Sequence, residues 1–308
     1  MEQFTMSEQS NNRRILIIGG AGYVGTALSD LLADQKQAFA IYDNFSQVKE
    51  PKPLPNVPIY RADLRDIHAL EKAFNDFRPT HVVLLAALHF IPYCVEHPEE
   101  VVGVNVTGVQ NVIDTINKID RSIELIFSSS AAVYKDSGNA LSEGSDLEQI
   151  DIYGLTKALD ERLIKAQCEQ YKIVRLFNVY GNHDPHPHVI PRVFEELKSG
   201  KPNLEMGSVA AKRDYVHVDE VASAIFHVLT KGKNQNVYNV GTGETTSVEE
   251  IIKELMQVVG HAPKLTPNSA KFARRTDRMV LKADISKITE HTGWRPTIRV
   301  AEGLTTLK

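Results

Sequence analysis

Residues 15–25 read Ile15-Leu16-Ile17-Ile18-Gly19-Gly20-Ala21-Gly22-Tyr23-Val24-Gly25. An apolar run able to form a buried strand passes directly into glycines at 19, 22 and 25, spaced G-x-x-G-x-x-G. Gly19 allows a tight turn, Gly22 lets a pyrophosphate approach the backbone, and Gly25 lets the next helix pack closely on the strand. That helix would point free N–H groups and its positive dipole end at the anion. Leu28, Leu31 and Leu32 then recur at helical spacing. A second apolar stretch, 38–42, ends at Asp43, 18 residues beyond Gly25. A carboxylate there accepts from the adenosine ribose hydroxyls and repels a 2′-phosphate, so the expected cofactor is NAD rather than NADP. Asp43 in an ordinary Asp-Asn turn is the competing reading; glycines, helix and acid falling in register favour the cofactor.

Outward from this stretch, strand-like and helix-like segments alternate. Candidate strands are 15–19, 38–42, 57–60, 81–87, 123–129 and 172–177, separated by helical patterns such as Ile67, Leu70, Phe74, Phe77 and Val109, Val112, Ile113, Ile116. The alternation predicts an α/β fold with a doubly wound parallel sheet, covered on both faces and binding ligands at the carboxyl ends of its strands. Beyond residue 180 the character changes. Pro and His cluster over 181–191, a helical stretch follows at 189–199, and Ser247 with Glu250 forms a capping box for a helix that Gly260 should stop. The expected organisation is a polar, disordered tail over 1–14, a cofactor domain over 15–180, and a smaller C-terminal substrate lobe over 181–308 interleaved with the last strands of the sheet.

The chain has 308 residues and a net charge of −4. No basic surface points to nucleic acid, and no apolar run approaches the roughly 18 residues of a membrane span. Residues 1–14 lack the apolar core of a signal peptide. Cys94 and Cys168 are the only cysteines, which argues for a reducing compartment, and the cytoplasm is expected. His183, Asp184, His186 and His188 crowd one loop, but Pro185 and Pro187 stiffen it and no further cluster completes a site, so no metal is expected. Cys94 reads as a small buried side chain rather than a nucleophile.

The candidate strand 123–129 runs into Ser128-Ser129-Ser130, and downstream Tyr153 and Lys157 are spaced i, i+4. On a helix they share one face. A tyrosine hydroxyl, with a pKa of about 10, is a poor base at neutral pH. A nearby ammonium and the positive nicotinamide ring favour its ionised form, which can take a proton from a substrate hydroxyl while hydride leaves the same carbon. Ser130 at a strand's carboxyl end can hydrogen-bond the same oxygen. The pair alone says little, since helix-face Tyr and Lys are usually structural. Its weight comes from following a glycine-rich loop and a serine-rich strand end in the right order.

In these segments the chain resembles the extended short-chain dehydrogenase/reductases, and among them the nucleotide-sugar 4-epimerases of UDP-galactose 4-epimerase type, over about 14–304. The resemblance implies a Rossmann-type fold and a set of roles. Gly19, Gly22, Tyr23, Val24, Gly25, Asp43 and Asn44 match cofactor segments. Ala62-Asp63-Leu64-Arg65-Asp66 is similar to the adenine-side turn, with Asp63 near the base. Leu85, Ala86, Ala87 and Asn105 resemble residues lining the cofactor cleft, as does Ser128. The stretch 127–134 matches the catalytic-serine strand, with Ser130 in the role, and 153–157 with Glu161 matches the tyrosine helix. On the substrate side the resemblance implies Asn178, Val189, Arg213 as a diphosphate clamp, Arg274 as a second phosphate arginine and Asp277 on the ribose. Arginine suits a diphosphate because its planar fork donates two hydrogen bonds at once; a surface salt bridge is the plainer reading of each.

Related enzymes on this scaffold include dehydratases with Asp-Glu after the catalytic serine and decarboxylases with a Glu in the second position. Here those positions are Ala131 and Ala132, neither of which moves a proton. The resemblance therefore implies inversion at C4 through a transient 4-keto sugar, with a UDP-sugar as substrate and a homodimer paired through helices 98–117 and 153–170. Another nucleotide-sugar reaction (reduction, decarboxylation or dehydration) and a non-catalytic NAD sensor are the alternatives; the intact Ser130, Tyr153 and Lys157 argue against the sensor. The chain departs from the pattern at Ile152, where the family has Pro, at Lys135, where it has Gly, and at Ala132, where many 4-epimerases have Thr. His89 stands where some relatives have Lys, and with Tyr93 it either faces the sugar or lines a loop.

Overall fold

The computed structural model describes residues 13–47, 54–267 and 278–307. Its strands are β1 (Arg14–Ile18), β2 (Ala38–Asp43), β3 (Ile59–Arg61), β4 (His81–Leu84), β5 (Glu124–Ser130), β6 (Ala140–Leu141), β7 (Tyr171–Leu176) and β8 (Asn178–Tyr180). They continue as β9 (Asn203–Met206), β10 (Lys212–Arg213), β11 (Tyr215–His217), β12 (Asn236–Val240), β13 (Thr246–Ser247), β14 (Lys264–Pro267) and β15 (Val280–Ala283). Seven of them form one sheet in the order β12-β7-β5-β4-β1-β2-β3, and every pairing in it is parallel. The chain leaves β1 toward β2 and later returns to β4 on its other side, so the strand order reverses there. Such a switch point opens a crevice at the carboxyl ends.

β1 shows why the opening stretch decides the fold. Leu16 and Ile18 join the core under helices 67–77, 108–119 and 152–167, whereas Ile15 and Ile17 join the core under helices 23–34, 218–231 and 286–292. A strand buried on both faces needs a continuous apolar run, not an alternating one. A third core lies in the second half, where helices Val189–Lys198 and Val248–Val259 pack together. The latter helix carries the expected capping box, Ser247 with Glu250, and ends at Gly260 with φ +73°.

The smaller sheet, β13-β10-β15-β6, gathers strands from distant parts of the chain. Asp214, fully buried, organises it. Its carboxylate accepts from Thr242 N and Oγ1 (both 2.7 Å), Gly243 N (2.9 Å) and Ala283 N (3.2 Å). Four donors meet the cost of burying that charge.

Boundaries differ from the sequence reading where a local pattern outlasts the sheet. Strand 81–87 stops at Leu84, because the Leu85 and Ala86 N–H groups both turn to Ile18 O (2.8 and 3.0 Å). The 57–60 candidate pairs only as Ile59–Arg61. Arg14, read with the polar segment over 1–14, belongs to β1: it pairs with Ala38, and its N–H donates to Thr80 Oγ1. Helix 98–117 is helix Pro98–Val101, a π segment Val102–Thr107 and helix Gly108–Ile119 in succession.

Candidate active site

At the switch point, Gly19 has φ +86°, and a Cβ there would stand 2.5 Å from Ala86 N. A Cβ on Gly25 would stand 2.2 Å from Gly19 O. Both glycines therefore permit close approach of backbone to backbone, as the spacing predicts. Helix Tyr23–Asp34 starts at Gly22 with no side chain capping it, which leaves its first N–H groups for an anion. Asp43, the last residue of β2, accepts from Ala21 N (3.0 Å) and Phe45 N (2.7 Å), tying the glycine turn to the strand end. Burial raises its carboxyl above the usual range, against the pull of those two N–H groups. An uncapped helix start, a turn that tolerates no Cβ at Gly19 and an acid at the neighbouring strand end fit a dinucleotide.

Farther along the strand ends, Asn44 Nδ2 donates to Asp63 (3.1 Å) and Arg65 grips the same carboxylate through Nε (2.8 Å) and Nη2 (2.9 Å). Hydrogen bonding to Arg65 holds Asp63 well below the usual carboxylate range. Leu64 faces inward and packs on Gly108, where a Cβ would stand 2.7 Å from it. On the other side of β1, the segment Leu85–Ala87 follows β4, and Ala86 lies against Gly19. Asn105 reaches the residue after this segment, Leu88. It is fully buried in the π segment, its Oδ1 accepts from Leu88 N (2.8 Å), and its Nδ2 donates to Leu88 O (2.9 Å) and Thr156 Oγ1 (3.1 Å). Through these bonds Asn105 ties Leu88 to helix Ile152–Gln167. A π segment at such a position is a familiar way of turning one side chain off the helical register.

β5 delivers its last three residues to different tasks. Ser128 O accepts from Lys157 Nζ (2.7 Å). Ser129 Oγ donates to Glu161 (2.6 Å). Ser130 Oγ accepts from Ala132 N (3.1 Å) and caps the short turn Ala131–Val133. Tyr153 lies in the first turn of helix Ile152–Gln167, which Asp151 caps through Gly154 N (2.7 Å). A Cβ on Gly154 would stand 2.8 Å from Ala132 O, so the helix start sits directly on the turn after Ser130. Burial raises the Tyr153 hydroxyl above its usual value, and a hydrogen bond with Ser130 pulls it back. Burial lowers Lys157, with Asp160 and Glu161 opposing; its ammonium also lies 4.5 Å from the Phe127 ring centre. Behind them Glu161 and Arg175, both almost fully buried, form a two-pronged pair at 2.7 and 2.8 Å.

The loop after β8 crosses the crevice. A Cβ on Gly181 would stand 2.9 Å from Tyr23 Oη, whose hydroxyl is buried without a partner, and Val24 follows in the same helix turn. His186 meets His89 edge-on at 4.8 Å and stacks on Phe90 at 5.1 Å, while His188 pairs with Asp184 at 2.7 Å. Burial and the neighbouring imidazoles push His89 down to about 4, so it is neutral at physiological pH. Among the described residues no group of three or more side chains could hold a metal ion. Asn178 Oδ1 is buried and unpartnered, Val189 opens helix Val189–Lys198, and Arg213 sits on β10. Arg274 and Asp277 lie outside the described residues. Cys94 is buried and free, its thiol pushed up to about 11 by burial. Sequence reasoning missed Arg278, whose contacts lie some 144 to 147 residues away in the chain; no local pattern marks it.

The model of the family described as NAD dependent epimerase/dehydratase matches residues 15–241. The chain belongs to that family. Its fold and its NAD cofactor agree with the reading of the glycine stretch. Similar proteins include the UDP-glucose 4-epimerase of Lactobacillus helveticus, 29% identical with 92% of each chain covered. The dTDP-glucose 4,6-dehydratase of Haemophilus influenzae is 26% identical, with 94% of this chain and 95% of that protein covered. Among solved structures, the UDP-glucose 4-epimerase of Thermus thermophilus in complex with NAD superposes with a TM-score of 0.83 at 29% identity, over 95% of this chain and 97% of that one. Epimerase/dehydratase family members of both reaction types thus match end to end, and the choice between reactions falls to individual side chains. No helix among the described residues is long and apolar enough to cross a membrane.

Proposed function

We propose that the protein is a nucleotide-sugar 4-epimerase of UDP-glucose/UDP-galactose type. The observation that carries this reading is the turn after Ser130, Ala131-Ala132-Val133, which offers no group to move a second proton, beside an intact Ser130, Tyr153 and Lys157. NAD, when bound, supplies a reversible hydride acceptor. Gly19, Gly22, Gly25 and the start of the Tyr23 helix hold its diphosphate, and Asp43 its adenosine ribose. Tyr153 Oη takes the proton from the sugar O4 and returns it after the sugar has turned about its diphosphate tether. Ser130 Oγ hydrogen-bonds the same oxygen, and the Lys157 ammonium favours the tyrosinate. Arg213 and Asn178 grip the nucleotide sugar; Val189, Arg274 and Asp277 complete that set. His89 and His186 form an uncharged wall suited to a neutral hexose.

The test is incubation of purified protein with UDP-, dTDP- and GDP-sugars without added cofactor, followed by NMR. UDP-glucose and UDP-galactose are expected to interconvert. A dehydrated, decarboxylated or reduced product, or no turnover of any sugar by NAD-loaded protein, would overturn the reading.

We further infer a homodimer and a cytoplasmic setting. Supporting the first, Val95, Val102, Leu155 and Leu159 are 62, 42, 52 and 41% exposed on helical segments that pack on one another. Supporting the second, both cysteines are free thiols. Light scattering is expected to give twice the 34.4 kDa chain mass, and Leu159→Glu to halve it. A wild-type protein that runs as a single chain sinks the dimer.

A further inference from the structure

We propose that Arg278 is a positioning residue that sets the seat of Ser130 and Tyr153. The inference rests on the reading of those two as the reacting pair. Arg278 is 7% exposed and reaches across the chain to the turn that Ser130 caps. Its Nη1 donates to Ala131 O (3.0 Å), and its Nη2 donates to Ala132 O (3.3 Å) and to Tyr134 O. Three carbonyls of one short turn therefore converge on one guanidinium.

That turn is the joint between the two reacting groups. Ser130 begins it, and its third partner, Tyr134, is fully buried and hydrogen-bonded to Asn239 (2.6 Å). Ala132 O also faces Gly154 so closely that a Cβ on that glycine would stand 2.8 Å away. A shift of the turn moves Ser130 on one side and the first turn of the Tyr153 helix on the other. A planar fork with donors in fixed directions holds such a geometry; a lysine ammonium satisfies the same carbonyls only one or two at a time. Acidic groups surround the guanidinium at longer range, with Asp136, Asp151 and Glu148 favouring its charge and Arg213 opposing it. Arg278 lies two residues before the start of β15, which pairs in parallel with β10, the strand that carries Arg213. The residue thus locks the strands of the substrate side to the serine turn, so that grip on the nucleotide is registered to the reacting carbon. Binding energy from a remote part of a substrate is spent on orientation in this way.

The test compares Arg278→Lys and Arg278→Ala with the wild type. With UDP-glucose, kcat is expected to fall about 10- to 100-fold in both, with KM and UDP affinity within about threefold. Methylguanidinium is expected to restore part of the loss in Arg278→Ala but none in Arg278→Lys. A second measurement needs no turnover. The Tyr153 hydroxyl is titrated by ultraviolet difference absorbance against Tyr153→Phe in the same background. Loosening the turn removes the Ser130 hydrogen bond, so the tyrosine is expected to ionise at higher pH in both variants. Hydrogen exchange of the Ala132 and Gly154 amides should quicken while β1 and β4 stay protected. A residue that only stabilises the fold would lower the melting temperature without moving the tyrosine titration or the kcat-to-KM split, and that outcome overturns the proposal. Should the wild type invert no sugar, the epimerase reading fails, and the titration and exchange still decide the role of Arg278.

Discussion

With phenylalanine in place of Tyr153, turnover is expected to fall by about 10²- to 10⁴-fold, the range of a lost general acid–base. NAD affinity and melting temperature should stay near wild type, because the ring still fills its place and only the hydroxyl is gone. The pH dependence carries the sign of the mechanism. Burial holds Tyr153 protonated in the chain, so kcat/KM should rise with pH as the tyrosinate forms. That limb should vanish from the residual activity of Tyr153→Phe and move to higher pH in Lys157→Met, where the cation favouring the tyrosinate is lost. Stopped assays over a pH series check this; a Tyr153→Phe variant with unchanged turnover would remove Tyr153 from the chemistry.

The second large effect is on stability. Glu161→Gln leaves Arg175 as an unpaired cation in the interior and is expected to cost about 3–5 kcal/mol, read from denaturant midpoints. Burial alone would raise the Glu161 carboxyl, but hydrogen bonds and charge from Arg175, with help from Ser129 and Lys165, lower it overall. A carboxyl depressed in the folded state stabilises above its unfolded value of about 4.3 and loses that contribution as pH falls through the folded value. The wild type should therefore lose stability on the acid side more steeply than Glu161→Gln. Replacing both partners, as Glu161→Leu with Arg175→Met, should recover much of the loss, since no buried charge is then stranded. A single-variant cost below about 1 kcal/mol would show that water reaches the pair.

What the sequence revealed and what it hid follow from the range of the forces involved. β1 and the glycine turn were legible because each residue's task is set within a few positions: apolar on both faces, then no Cβ at Gly19 and Gly25. The Ser247–Glu250 capping box is local in the same sense. Ends of elements were less legible. Leu85 and Ala86 are as apolar as the strand before them, and they leave it only because Ile18 O takes their N–H groups. The partners of the Asn105 amide, Leu88 and Thr156, meet it through a π segment that has no sequence signature. Arg278 lay hidden for the strongest reason, since its three partners are carbonyls, and a carbonyl looks the same on every residue.

The placement of β12 at the edge of the main sheet, beside β7, bears on how the chain is made. A ribosome that has released β7 has delivered every strand of that sheet but β12. Yet the outer edge of β7 stays bare until Asn236–Val240 emerges, some 64 residues after Leu176. At about 5–20 residues per second, that interval lasts roughly 3–13 s. During it the nascent chain carries an open row of backbone donors and acceptors on a parallel edge, the surface most prone to pairing with a neighbour. The interleaving that lets one chain build both sides of the crevice also makes synthesis its most vulnerable moment, and gives chaperones a defined strand to shield.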